Sequence, residues 1–376
     1  MNNFHDTSPD GKARARGVGF RFDGKPGKYN TITDVEGLEV GLKTIIRGES
    51  IRTGVTAIHP RGRKGLADPV SAGFHSQNGN GEMTGVTWIR ESGTFTGPIV
   101  LTNTHSVGVA HAGIIAWTVK HYPDVAKVWL LPVAGETWDG YLNDINSHPI
   151  EESDVVECLE AAESGPILEG SVGGGTGMNC YEFKGGNGSS SRLVEYGSRH
   201  FTVGALVQAN FGTREELTLA GVPFGKIFAD DNPMRASAEI PPGAGSCIAV
   251  IATDAPLLPD QCRALARRVS LALARTGTTG SHFSGDLFLA FSTANVSAFT
   301  PGSVTFFGAA PAQVDHLDFL PWGNLDPFYE AVVQATEEAI VNALVVNQEM
   351  VGYLGHRSPG FPVSRVREHL GSTGSV

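Results

Sequence analysis

The sequence predicts an α+β fold in which a single domain is woven from two chain segments. Short apolar runs of strand length alternate with helical patterns along most of the 376 residues, without internal repeats. A Pro/Gly turn, Pro241-Pro-Gly-Ala-Gly245, leads directly into the apolar run 247–252, which reads as a strand buried on both faces. Elements of the same kind lie on either side of that turn with no linker between them, so residues 1–245 and 246–376 are expected to share one core across 1–376.

Composition narrows the function. With 41% hydrophobic and 18% charged residues the chain suits a globular protein, and 48 glycines point to tight turns. A net charge of −11 argues against nucleic acid or an anionic membrane as partner and is compatible with substrates carrying an ammonium group. Cys158, Cys180, Cys247 and Cys262 form no C-x-x-C pair, which suits a reducing compartment. The polar start lacks the apolar run of a signal peptide, and no stretch approaches the ~20 apolar residues of a membrane span. A cytoplasmic protein is expected.

In chain order, residues 1–30 are polar and the first ten are expected to be mobile. Strands are expected at 31–35, 54–59, 86–89, 98–102 and 128–133, and a mostly buried helix at 107–121, stopped by Pro123. Ser153 reads as the N-cap of the next helix, closed by Gly165-Pro166. After a Gly-rich bend at 171–177, residues 184–191 read as a hairpin tip or exposed loop. Strand 200–210 follows, with Phe201, Val203, Ala205 and Val207 on one face. Residues 213–245 are loop-like and the best place for a chain break. Then come strand 247–253, helix 260–275, strand 286–292 and a long helix in which Asp326 caps, Pro327 starts the first turn and Val332, Ala335, Ala339, Ala343 and Val346 form a stripe.

The glycines at 170–177 fail the dinucleotide register, and no Lys follows to make a phosphate loop. His105 and His111 fit ordinary packing better than a metal site, and no metal or other cofactor is expected. More informative are polar residues at strand ends, where an apolar scaffold holds them rigidly. Asn210 ends one strand and offers an N–H to an oxyanion. Ser284-Gly285-Asp286 opens another and offers a hydroxyl and a carboxylate beside an amine. Glu136 and Tyr141 follow the run 128–133, the first suited to a substrate ammonium and the second to hydrogen bonding at the reacting group. Each alone also reads as a turn or loop residue. Gly245-Ser246 has two readings as well: a turn before a strand, or a bond the chain cuts itself, making Ser246 an amino-terminal nucleophile with its own amine as base.

The stretches 246–256, Gly173-Gly-Gly-Thr-Gly-Met178, Val207-Gln-Ala-Asn-Phe-Gly212 and 284–295 together resemble the DmpA/BapA family of L-aminopeptidase/D-esterases and β-peptidyl aminopeptidases. Ile32-Thr-Asp-Val35, Asn78-Gly-Asn-Gly-Glu82 and residues 135–144 extend the resemblance over about 25–345. It implies a self-processed precursor, a four-layer αββα sandwich related to N-terminal nucleophile hydrolases with different connectivity, and a homo-oligomer of cleaved pairs. By motif, Ser246 matches the nucleophile, Asn210 the oxyanion asparagine, and Ser284 and Asp286 the supports of the nucleophile's amine. Glu136 and Tyr141 match positions lining the substrate's N-terminal end. The expected activity is hydrolysis of the N-terminal residue from small peptides, amides or esters with a free amine, a backbone N–H such as that of Gly285 sharing the oxyanion with Asn210. Cys247, a stronger intrinsic nucleophile, should face away from Ser246 because successive strand residues alternate faces. Two other readings are an acetyl-transferring relative of ornithine acetyltransferases, where a threonine is expected, and an uncleaved binding homologue.

Overall fold

The computed structural model describes residues 3–127, 129–236, 244–299 and 314–372. After the short helix α1 (Ala15–Val18), strands β1 (Glu39–Arg47) and β2 (Ile51–His59) pair, followed by β3 (Val70–Ser76), α2 (Val86–Ser92), β4 (Thr94–Phe95) and β5 (Ile99–Asn103). Helix α3 (Val107–His121) leads to β6 (Val133–Thr137), then α4 (Glu152–Glu160) and the short β7 (Asn179–Cys180) and β8 (Phe183–Lys184). The long β9 (Gly186–Tyr196) and β10 (Arg199–Asn210) precede α5 (Phe224–Ile227). The carboxy-terminal segment supplies β11 (Gly245–Thr253), α6 (Pro259–Arg275), β12 (Ser284–Ser292) and α7 (Asp326–Val345).

Ten of these strands form a four-stranded sheet, β1-β2-β5-β6, and a six-stranded sheet, β4-β3-β12-β11-β10-β9, while β7 pairs with β8. Ile58, Leu101 and Val133 of the first sheet meet Leu206, Ile248 and Val250 of the second in a core between them. Trp117, Val155 and Leu159 of α3 and α4 cover the outer face of the smaller sheet. Leu265 and Val269 of α6 and Val332 and Ala339 of α7 cover that of the larger. The result is an αββα sandwich, the architecture the resemblance implies. Each sheet contains one parallel pair joined by an outer helix, β5–α3–β6 and β11–α6–β12, because parallel neighbours need a crossover. In the larger sheet β11 and β12 lie between β10 and β3, so strands from both sides of Gly245 share one set of ladders. Among the described residues no helix is long and apolar enough to cross a membrane.

Several elements differ from the sequence expectations. Residues 184–191 are not an exposed loop: Gly186–Tyr196 is the edge strand β9, and Ser189, Ser190 and Ser191 are fully buried. Their polarity is satisfied inside the protein, Ser189 Oγ donating to the Ala205 carbonyl at 2.7 Å, Ser190 Oγ to that of Ala335 at 3.0 Å and Ser191 Oγ to the Asp34 carboxylate at 2.6 Å. Small residues are needed here, since a Cβ on Gly188 would lie 1.9 Å from the Ala339 carbonyl of α7. Residues 86–89 belong to helix α2 rather than a strand, and 31–35 form a 3-10 turn, Ile32–Asp34, whose Asp34 carboxylate accepts the Thr31 N–H at 3.2 Å. The strand expected at 128–133 lies at Val133–Thr137, with Val128 outside the described residues.

Ser153 lies inside α4; Glu151 is the N-cap, and Asp154 reaches back to its N–H at 3.0 Å. Leu325 caps α7, leaving Asp326 in the first turn. The described amino-terminal residues, from Asn3, are anchored: His5 Nε2 lies 2.8 Å from the Gly27 carbonyl, and Arg14, 2% exposed, is paired with Glu169 at 2.7 Å. Pro241, Pro242 and Gly243 of the expected turn lie outside the described residues.

Candidate active site

Alternation along β11 turns Ser246, Ile248 and Val250 toward the space between the sheets and Cys247, Ala249 and Ile251 toward the helices. Ser246 is therefore the polar end of the inter-sheet core, and it is 2% exposed. Cys247 lies on the opposite face, where burial pushes its thiol well above the ordinary range.

Asn210 stands opposite Ser246 in the antiparallel β10–β11 ladder. Its Oδ1 accepts the Asn179 N–H at 2.8 Å, and its Nδ2 donates to the Trp138 carbonyl at 2.8 Å, which fixes the orientation of the amide. Nδ2 lies 3.5 Å from Ser246 Oγ, and the Trp138 N–H lies 3.3 Å from the same oxygen. The larger sheet thus contributes the hydroxyl and the side-chain amide. The residue following β6 contributes a backbone donor.

On the other side of Ser246 is Gly285, its partner in the parallel β11–β12 ladder. A Cβ at Gly285 would lie 2.4 Å from the Asn80 carbonyl and 2.8 Å from Gly81 Cα, so only glycine lets that loop lie across the strand. Gly81 in turn has Glu136 as neighbour, a Cβ there falling 3.2 Å from Oε1. Gly245 N–H donates to the Phe283 carbonyl at 3.4 Å. The alternation of a parallel ladder then directs the Gly285 N–H at the Gly245 carbonyl.

Ser284 and Asp286 pair with Gly245 and Cys247, on the sheet face away from Ser246 Oγ, and so flank the 245–247 backbone. Both Asp286 oxygens are engaged, Oδ1 by Ser284 Oγ at 2.6 Å and Oδ2 by Asn78 Nδ2 at 3.1 Å. Burial raises the Asp286 pKa against the pull of these hydrogen bonds. Glu136 is 3% exposed; Oε1 accepts the Glu82 N–H at 2.8 Å and Oε2 the Thr104 hydroxyl. Burial also raises its pKa, opposed by those two bonds. Tyr141 enters through a separate set of contacts, its hydroxyl donating to the Arg357 carbonyl at 3.3 Å and its ring stacked on His356 at 4.5 Å.

The profile of peptidase family S58 matches residues 30–358. The chain belongs to peptidase family S58. It is 43% identical over 375 residues to the β-peptidyl aminopeptidase BapA of Sphingosinicella microcystinivorans, covering 95% of this chain and 91% of the relative. The solved L-aminopeptidase D-Ala-esterase/amidase of Ochrobactrum anthropi, described as a variant of the Ntn hydrolase fold, superposes with a TM-score of 0.89 at 44% identity, covering 96% of this chain and 99% of the other. The β-aminopeptidase of a Burkholderia species gives 0.86 at 41% identity, covering 96% and 99%. This S58 member is accordingly a hydrolase of aminopeptidase type.

Within the S58 chain the structure adds residues for which sequence reasoning gave no role. The Trp138 peptide contacts Ser246 through backbone atoms, which carry no side-chain signature, although it lies inside the motif 135–144. Asn78 belongs to the motif Asn78-Gly-Asn-Gly-Glu82, and its contact with Asp286 depends on a strand pairing that spacing alone does not reveal. Thr104 reaches Glu136 because β5 and β6 are parallel neighbours.

Proposed function

We propose that the chain cuts itself between Gly245 and Ser246, and that the new amino-terminal serine removes the N-terminal residue from short peptides, amino-acid amides and esters with a free amine. The observation that carries this reading is the setting of Ser246 Oγ. Among the described residues its two neighbours at hydrogen-bond range, Asn210 Nδ2 and the Trp138 N–H, are both donors and cannot take its proton. A base must come from elsewhere, and scission of the preceding bond supplies one on the same residue.

In the first step Ser246 Oγ attacks the Gly245 carbonyl carbon, polarised by the Gly285 N–H. The C–N bond breaks, a C–O ester forms, and the proton of the hydroxyl passes to the departing nitrogen. Water then hydrolyses the ester, leaving a carboxylate on Gly245 and a free amine on Ser246. Ser284 and Asp286, beside that backbone, hold the amine once it leaves the ladder. In each turnover the neutral amine takes the Ser246 proton, Oγ attacks the substrate carbonyl, and Asn210 Nδ2 and the Gly285 N–H receive the oxyanion, with the Trp138 N–H close by. Water releases the acyl group. Glu136 binds the substrate's ammonium, so only a residue with a free N-terminus is positioned for attack.

The names of the relatives, β-peptidyl aminopeptidase and L-aminopeptidase D-Ala-esterase/amidase, share an amide or ester whose acyl part carries an amine. That common class is the substrate class assigned here. Unpaired, buried Cys158, Cys180, Cys247 and Cys262 support a cytoplasmic site of action. Exposed Trp88, Trp129 and Leu131 around the start of edge strand β6 support a homo-oligomer of cleaved pairs.

Two measurements test the roles of the amine and Glu136. The rate should fall as pH drops through the titration of the Ser246 amine, near ~7.7–8.0 for an ordinary α-amine, because the protonated form cannot accept the hydroxyl proton. A kcat independent of pH down to 5 would contradict this base. Glu136→Gln removes the charge facing the substrate's ammonium. It should raise KM about 10- to 100-fold for an aminoacyl p-nitroanilide, leaving the slow turnover of its N-acetylated form unchanged. Equal losses on both substrates would remove the assigned role.

A further inference from the structure

We propose that Lys184 is a positioning residue for Asn210, polarising its Nδ2–H through a relay of two amide groups that ends at Ser246 Oγ. The proposal rests on the role given to Asn210 above. Lys184 ends β8, and its side chain is fully buried. Both hydrogen bonds of its Nζ go to carbonyls, that of Met178 at 2.6 Å and that of Gly185 at 2.8 Å.

The Met178 carbonyl belongs to the peptide unit whose nitrogen is that of Asn179, and the Asn179 N–H donates to Asn210 Oδ1 at 2.8 Å. Asn210 Nδ2 faces Ser246 Oγ at 3.5 Å. Ammonium, peptide group, side-chain amide and reacting oxygen thus stand in one line of hydrogen bonds. A donor at the oxygen end of an amide strengthens the N–H at its other end, so positive charge at Nζ makes Nδ2–H a better partner for an oxyanion.

Packing alone does not call for lysine at this place, because a buried ammonium satisfied only by carbonyls carries a desolvation cost that methionine would avoid. Burial pulls the Lys184 pKa down to about 7 and the nearby Asp139 pulls it back up; the Cys180 thiol, the other ionisable group beside it, is itself raised by burial.

Lys184→Met keeps the length of the side chain and removes charge and donors; Lys184→Gln keeps a neutral donor. With active-site concentration fixed by titration and the pH held at about 6, where Nζ carries its charge, Lys184→Met should lower kcat about 10-fold and leave KM within about 2-fold, with Lys184→Gln between it and the native enzyme. In an Asn210→Ala background, Lys184→Met should add less than about 2-fold. An unchanged kcat in folded Lys184→Met, or an undiminished effect in the Asn210→Ala background, overturns the relay while leaving the role of Asn210 intact. An unchanged kcat in Asn210→Ala overturns that role and the relay with it.

If neither Lys184 variant folds, the pH profiles of native enzyme and Asn210→Ala decide. Because Lys184 gives up its proton over the same range in which the Ser246 amine becomes neutral, native kcat should rise about 10-fold less between about pH 6 and 9 than that of Asn210→Ala. The same rise in both overturns the proposal.

Discussion

Ser246→Ala should leave residues 1–376 as one unbroken chain without aminopeptidase activity. In the proposed mechanism the same hydroxyl opens the Gly245–Ser246 bond and later attacks the substrate, so one methyl group in its place should remove processing and turnover together. The variant should still fold. Ser246 ends a strand paired on both sides, and losing two long contacts to Oγ costs about 1 kcal/mol. Circular dichroism together with denaturing electrophoresis checks both halves of the prediction. A folded Ser246→Ala protein that appears as two fragments would show that another group performs the scission, and one that hydrolyses substrate would remove Ser246 from the chemistry. Cys247 is not a substitute, since its buried thiol faces the helix side of the sheet.

Asn210→Ala should lower kcat by about 10²–10³-fold, the usual loss when one preorganised oxyanion donor is removed. Self-cleavage should slow in parallel, because it passes through a tetrahedral intermediate of its own. Alanine also leaves the Asn179 N–H without its partner, so a stability loss of about 1–3 kcal/mol accompanies the kinetic one. Asn210→Asp retains an acceptor for Asn179 but sets a carboxylate oxygen against the Trp138 carbonyl and where the oxyanion forms. Its kcat should fall at least as far as that of Asn210→Ala, and its thermal stability should fall as well. Activity within about 2-fold of native in Asn210→Asp would exclude Asn210 as the donor.

The core of the larger sheet is legible in the sequence because its signals are local. The continuous apolar run after Ser246 and the alternating one before Asn210 both belong to long strands, and the helix at 107–121 has the expected bounds. Placing Asn210, Ser246 and Ser284 at strand ends then brings them near one another once the register is known.

The misreadings have distinct causes. Strand β9 was hidden because Gly-Asn-Gly-Ser-Ser-Ser has loop polarity, whereas its environment selects for small size beneath α7. Val86–Ser92 is too short and β-branched at its start for periodicity to decide, and left-handed glycines at both ends, Gly85 and Gly93, set its limits. The contact of Trp138 with Ser246 and the proposed Lys184 relay both run through peptide groups, which every residue possesses, so residue types gave no signal for either.

Amino-terminal sequencing of the fragments of the purified, active enzyme tests the central claim most directly. Two polypeptides, the smaller beginning Ser246-Cys-Ile-Ala, are predicted. A fully active, unbroken chain, or a smaller fragment beginning at Cys247, would contradict an enzyme built on a self-generated serine amine.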